Sequence, residues 1–168
     1  ALTSVDEPDW KNVAGRLKLF ELYRKIRSLR GTPKNASPYN YPEFLDYAVA
    51  NGIYTPELKS KYTAEEINIA ASFIKPEFDL VYDYAGINLL IKRYLCEYND
   101  SIVELPQEMF LTIALLIEQN EDKNKRMAQV EDTYRKLADR KISLATPLLM
   151  NLRRPHGNLS SCFITMMD

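Results

Sequence analysis

The sequence predicts a mainly α-helical domain that leads into the start of a β-containing one. Three observations support this fold class. Apolar residues recur every three or four positions through most of the chain, helix-capping signals separate these stretches, and the composition changes after residue 140. We therefore expect a helical domain at residues 1–140 and the first strands of a second architecture at residues 141–168.

Two helices are predicted in the first 50 residues. Asp9 can cap a helix that runs through Arg27. Its predicted apolar stripe comprises Val13, Leu17, Phe20, Leu22, Tyr23 and Ile26. A short helix at residues 41–50 is expected to end there, because the following pair Asn51-Gly52 is typical of a helix C-terminus.

Four further helices are predicted by local signals. Thr63 and Glu66 have the spacing of a capping box, Pro106 suits the first turn of a helix, and apolar residues recur with helical spacing downstream. The predicted helices cover residues 63–74, 78–94, 107–118 and 123–140.

The segment 141–168 differs from the helical part. Ile142–Ala145 is a short apolar run that Thr146-Pro147 stops, and residues 159–166 form a second strand-like run. The intervening residues 151–158 are rich in turn formers. We therefore expect two strands joined by a loop.

The composition excludes several classes of function. Lys plus Arg is 22 and Asp plus Glu is 23, a balance that argues against a dedicated nucleic-acid binder. Two Cys and one His can form neither a disulfide scaffold nor a His-rich metal centre. Without a bilayer-length apolar run or a signal peptide, we expect a cytoplasmic setting with no membrane contact.

The two ends of the chain suggest a piece of a larger protein. The chain starts with Ala1 rather than Met, and it stops at Asp168 directly after an apolar run. A strand-like segment with no partner strand after it is expected to continue into further structure.

Reactive side chains concentrate in the last segment: Thr146, Arg153, Arg154, His156, Ser160, Ser161 and Cys162. Hydroxyl and guanidinium groups suit a phosphate, and a thiol suits redox or nucleophilic chemistry. Simpler interpretations remain open, because a lone Cys in a strand is often a small buried hydrophobe and adjacent Arg residues in a loop are usually solvated. Cys96, in the helical part, is expected to serve packing.

The motifs of this segment resemble those of class I ribonucleotide reductase large subunits. The first two barrel strands of that family are similar to Lys141–Met150, Arg153-Arg-Pro and Leu159-Ser-Ser-Cys-Phe. The helical region before the barrel is similar, in order and spacing, to Pro8-Asp9-Trp10, Ala14–Phe20, Asp79–Gly86 and Lys92–Leu95. The resemblance covers residues 8–168.

The resemblance implies a ten-stranded α/β barrel after the helical domain, and an enzyme that reduces ribonucleotides to 2′-deoxyribonucleotides by radical chemistry. Thr146 and Ser161 match residues that hold the substrate's phosphate. Cys162 matches one thiol of the reducing pair, and Asp168 matches the start of the site for deoxynucleotide or ATP effectors. An ATP-binding cone is not expected, because residues 1–8 leave no room for one.

The resemblance also implies partners. They are the remainder of the large subunit, a second large subunit, a small subunit with a radical-generating metal cofactor, and thioredoxin or glutaredoxin. The radical Cys and the second reducing Cys would lie outside this chain. Two alternatives remain, namely a class II enzyme that uses adenosylcobalamin and a helical interaction module without catalytic chemistry.

Overall fold

Helices form most of residues 9–162, the part of the chain that this computed structural model describes. The elements in chain order are α1 (Asp9–Arg30), α2 (Tyr41–Ala50), α3 (Glu57–Lys61), α4 (Ala64–Ser72), a 3-10 helix (Pro76–Val81), α5 (Tyr84–Leu89), a π-helical turn (Leu90–Tyr94), β1 (Glu97–Tyr98), β2 (Ser101–Ile102), α6 (Pro106–Ile117), α7 (Lys123–Ala138) and α8 (Thr146–Asn151). The expectation of a mainly helical chain is confirmed.

Helix α6 forms the centre of the core. All its residues from Pro106 to Leu116 are buried, as expected for a helix that is apolar around most of its circumference. Helix α7 and the 3-10 helix pack on α6, while α1 packs on α5 and α2 on α4. The buried carboxylate of Glu108 in α6 is paired, since it accepts two hydrogen bonds from Arg30 at 2.7 and 2.8 Å.

Local capping signals fix two helix boundaries as predicted. Helix α2 has the predicted bounds, and Gly52 follows it with a φ of 67°, a left-handed conformation that favours glycine. Before α4, the Glu66 amide donates to the Thr63 hydroxyl at 3.2 Å and the Thr63 amide donates to the Glu66 carboxylate at 2.8 Å. The capping box is therefore confirmed.

The single helix predicted at residues 78–94 is wrong. The chain leaves the 3-10 helix in an extended conformation at Tyr82, and α5 restarts with Asp83, whose carboxylate accepts from the Gly86 amide at 2.8 Å. Helix α1 crosses at this break, where a Cβ added to Gly15 would lie 2.5 Å from the Tyr82 carbonyl oxygen. The break between the 3-10 helix and α5 therefore lets the α1 backbone at Gly15 lie close to the Tyr82 carbonyl.

The predicted apolar stripe of α1 is only partly buried. Leu22, Tyr23 and Ile26 belong to the core, whereas Val13, Leu17 and Phe20 are exposed, with Leu17 at 63%. The helix has two apolar sides in its first half, and only one of them faces α5.

The two strands predicted after residue 140 are not formed within residues 9–162. Residues 142–145 are a loop, Thr146-Pro147 begins α8, and residues 158–162 are also a loop. Pro147 lies in the first turn of α8, where its missing N–H removes no helical hydrogen bond. The one strand pairing in this described part is β1 with β2, antiparallel, with Glu97 opposite Ile102. Residues 163–168, which include Asp168, lie outside the described residues.

Candidate functional site

Thr146, the first predicted phosphate-binding residue, is the first residue of α8 and is half-buried. Its Oγ1 atom lies 3.4 Å from the phenol oxygen of Tyr94, at the end of the π-helical turn. Two hydroxyl groups from different elements therefore meet at the start of α8. The sequence gives no signal for this contact, because the two residues are 52 positions apart.

Arg153 is fully buried, with 0% of its side chain exposed. Its guanidinium donates to Glu104, also fully buried, from Nε at 2.5 Å and from Nη2 at 2.7 Å. It further donates to the Tyr94 carbonyl at 2.5 Å and to the Leu149 carbonyl in α8. The interpretation of Arg153 as a solvated loop residue or a phosphate ligand is therefore wrong.

Both carboxylate oxygens of Glu104 accept hydrogen bonds from more than one donor. Besides Arg153, the Tyr54 hydroxyl donates to it, and the Cys96 amide donates to Oε2 at 2.6 Å. Burial alone would lower the pKa of Arg153, but the charge of Glu104 and their hydrogen bonds raise it overall, so Arg153 stays charged. We call Arg153, Glu104, Tyr54 and the carbonyls of Tyr94 and Leu149 the Arg153 cluster. The sequence offered one signal for it, a lone carboxylate within the apolar run Ile102–Leu105.

Arg153 is also anchored through its backbone, since the Thr55 amide donates to its carbonyl at 2.8 Å. Beyond it, the Asn151 side chain donates to the Asn158 carbonyl at 2.8 Å and so closes the loop 152–157. Gly157 has a φ of 149°, and a Cβ there would lie 2.7 Å from the Asn151 side chain. The loop that leads to Ser161 and Cys162 is therefore fixed at both ends.

Ser161 and Cys162 lie at the end of the described chain and are both exposed. The Ser161 hydroxyl lies 3.9 Å from the Cys162 sulfur. Within residues 9–162, no hydrogen bond joins Ser161 to Thr146. The structure thus places Thr146 beside Tyr94 at the start of α8, whereas Ser161 and Cys162 are exposed.

The two cysteines have opposite environments. Cys96 is buried and Cys162 is exposed, and both are free thiols. Burial, reinforced by the charge of Glu104, raises the pKa of Cys96 to about 12. Cys96 is therefore a protonated packing residue, as expected, and Cys162 is the accessible thiol of the pair.

A second buried polar cluster lies between α1, the 3-10 helix and α6. The Asp79 carboxylate accepts from the hydroxyls of Tyr23 and Tyr39 and from the Gln107 amide at 2.7 Å. Burial raises the pKa of Asp79, and the three hydrogen bonds partly oppose that shift. Sequence reasoning missed this cluster, because its members are dispersed along the chain.

The described residues form neither a metal-binding group nor a membrane-spanning helix. Across residues 9–162, no three His, Cys, Asp or Glu side chains come together as a group that could hold a metal ion. The helices described in the same range are all too short or too polar to cross a membrane.

Comparison with known proteins identifies the class to which this arrangement belongs. The family model of the ribonucleotide reductase all-alpha domain matches residues 80–157, which include Glu104, Thr146 and Arg153. The α subunit of ribonucleoside-diphosphate reductase from Synechocystis sp. is 40% identical over 99% of the chain. The corresponding subunits of Enterobacteria phage T4 and Escherichia coli are 36% and 29% identical over 96% and 97% of the chain.

The fold and these matches define a helical domain of the ribonucleotide reductase type. The chain belongs to the ribonucleotide reductase large-subunit family and corresponds to the N-terminal part of such a subunit. It spans about a fifth of the length of the relatives that it matches.

Proposed function

We propose that this chain is the helical domain and the beginning of the barrel in the large subunit of a class I ribonucleotide reductase. The complete subunit would reduce ribonucleoside diphosphates to 2′-deoxyribonucleoside diphosphates. The observation that supports this best is the 40% identity to a ribonucleoside-diphosphate reductase α subunit over 99% of the chain.

The segment 141–162 exposes apolar side chains, as expected of a segment that packs into a barrel. Ile142 and Leu159 are large apolar residues that stay exposed in this segment, as are Ser161 and Cys162. Unpaired backbone here would form hydrogen bonds with neighbouring strands once the rest of the subunit is present. In this proposal the two predicted strands, at residues 142–145 and 159–166, form only in the assembled barrel.

Thr146 and Ser161 are the proposed phosphate ligands from this chain. Each hydroxyl can donate a hydrogen bond to a charged phosphate oxygen, and such charge-assisted bonds are stronger than neutral ones. Thr146 is already held at the start of α8 beside Tyr94. Ser161 would complete the site when its segment packs into the barrel.

Cys162 is the proposed reducing thiol from this chain. With a second Cys outside the chain, it would form a disulfide and deliver two electrons and two protons. These replace the substrate's 2′-hydroxyl by hydrogen and release that hydroxyl as water. In this proposal Cys162 meets the second Cys in the assembled barrel, and thioredoxin or glutaredoxin is the final source of the electrons that reduce the disulfide again by thiol–disulfide exchange.

The remaining partners in this proposal lie outside the chain. They are the rest of the large subunit, a second large subunit and a small subunit, whose metal cofactor would supply the radical. Asp168 is proposed to belong to the site for a deoxynucleotide or ATP effector. A carboxylate there can accept hydrogen bonds from a ribose hydroxyl or a base amine.

The proposal is tested by removing each thiol in turn. In the large subunit that contains this chain, Cys162→Ser should abolish multiple turnover with thioredoxin as reductant, while Cys96→Ala should retain it. Deoxynucleotide formation measured with the small subunit gives the result. Normal turnover in Cys162→Ser would contradict the thiol assignment, and activity that needs adenosylcobalamin instead of the small subunit would contradict class I.

A further inference from the structure

Arg153 joins three parts of the structure through one side chain. Glu104 precedes α6, the Tyr94 carbonyl ends the π-helical turn, and the Leu149 carbonyl lies in α8. Arginine suits this position because its planar guanidinium directs several donors at fixed angles, whereas lysine has a single ammonium group. The relative placement of these three elements therefore depends on one guanidinium.

The Arg153 side chain binds both elements that position the Thr146 hydroxyl, namely the end of the π-helical turn and α8 itself. It binds the backbone of Tyr94, whose phenol oxygen lies 3.4 Å from Thr146 Oγ1. It also binds α8 at Leu149, one turn after Thr146. The position of Thr146 relative to Tyr94 is thus set on both sides by Arg153.

We propose that Arg153 is a positioning residue for substrate binding, which fixes Tyr94 and α8 so that the Thr146 hydroxyl is held ready for the substrate's phosphate. This inference rests on the proposed function of Thr146. A ligand group that is already oriented loses less conformational entropy when it binds, so losing the orientation weakens binding.

Arg153 could instead act only as a buried ion pair that stabilises the fold. The two roles predict different results when apolar side chains replace both Arg153 and Glu104. Replacing both charged partners by apolar side chains of similar size is often neutral or stabilising, because neither charge then remains buried alone. Such a pair keeps the packing but cannot donate to the Tyr94 and Leu149 carbonyls.

The test uses the double variant Arg153→Met/Glu104→Leu in the large subunit that contains this chain. We expect KM for a ribonucleoside diphosphate to rise about tenfold or more, with a much smaller change in kcat. Hydrogen exchange of the amides in residues 146–152 should become faster. Thr146→Val should raise KM in the wild-type background but add little in the double variant, since its hydroxyl is already misplaced.

A matched control is the partly buried ion pair between Arg126 and Glu66, which joins α7 to α4. Arg126→Met/Glu66→Leu should leave KM and hydrogen exchange of residues 146–152 unchanged. If the Arg153 double variant folds poorly, Arg153→Lys provides the same test, because it keeps the charge but loses most of the donors.

Unchanged KM and unchanged hydrogen exchange in the Arg153→Met/Glu104→Leu variant, or in Arg153→Lys where that variant replaces it, would overturn the positioning role. An equal rise of KM in the Arg126 control would overturn it too. If Thr146→Val alone leaves KM unchanged, the proposed phosphate site fails instead. The two failures are therefore distinguishable.

Discussion

Replacing Arg153 alone with methionine should destabilise the chain strongly. Methionine fills much of the same volume, but it leaves the Glu104 carboxylate buried without a cation. Two carbonyls, those of Tyr94 and Leu149, also lose a donor. Removing one partner of a buried ion pair typically costs about 3–5 kcal/mol. For a domain of this size, that corresponds to a fall in melting temperature of about 10 °C.

The measurement is urea unfolding of the 168-residue chain, followed by circular dichroism. Arg154→Met is the matched control, because Arg154 adjoins Arg153 but is only half-buried and forms no ion pair within the described residues. It should change the free energy of unfolding by less than about 1 kcal/mol.

The double variant Arg153→Met/Glu104→Leu completes this argument. It should recover part of the stability lost in Arg153→Met, since no charge remains buried alone. The recovery is incomplete because the Tyr54 hydroxyl, the Cys96 amide and the two carbonyls still lack their partners. A loss below about 1 kcal/mol in Arg153→Met, or a double variant as unstable as the single one, would refute the reasoning from buried charge.

Three further changes probe other parts of the fold. Gly15→Ala should destabilise the chain by about 1–3 kcal/mol in urea unfolding, because its Cβ would lie 2.5 Å from the Tyr82 carbonyl oxygen. Thr63→Ala should cost about 1 kcal/mol by removing the acceptor for the Glu66 amide, whereas Thr63→Ser should not. The raised pKa of Asp79 means that its contribution favours folding most below the unfolded-state pKa and is lost as pH rises through the folded-state pKa. Unfolding measured across that range should therefore show a fall in stability with pH that Asp79→Asn reduces, and an unreduced fall would exclude Asp79 as its source.

Some features were predictable because local chemistry determines them. The bounds of α2 follow from Pro42 near its start and the pair Asn51-Gly52 after its end. The start of α4 follows from the side chains of Thr63 and Glu66, which complete a capping box without tertiary help.

Other features were not predictable because they depend on contacts between distant parts of the chain. Arg153 and Glu104 are 49 positions apart, and only their proximity in the fold converts a loop arginine into a buried one. The break at Tyr82–Asp83 depends in the same way on the crossing of α1 at Gly15. Spacing alone indicated a continuous helix there and a single apolar stripe on α1.

The π-helical turn at Leu90–Tyr94 sets the direction in which Tyr94 points. The Leu95 amide bonds to the Leu90 carbonyl at 2.9 Å, five residues back, so the turn holds one residue more than an α-helical turn. Successive residues of an α-helix are separated by about 100° around the axis. Deleting one residue from this turn would restore regular winding and rotate the phenol of Tyr94 by about that angle, away from α8. The direction in which the Tyr94 side chain points therefore depends on the number of residues in this turn as much as on their types.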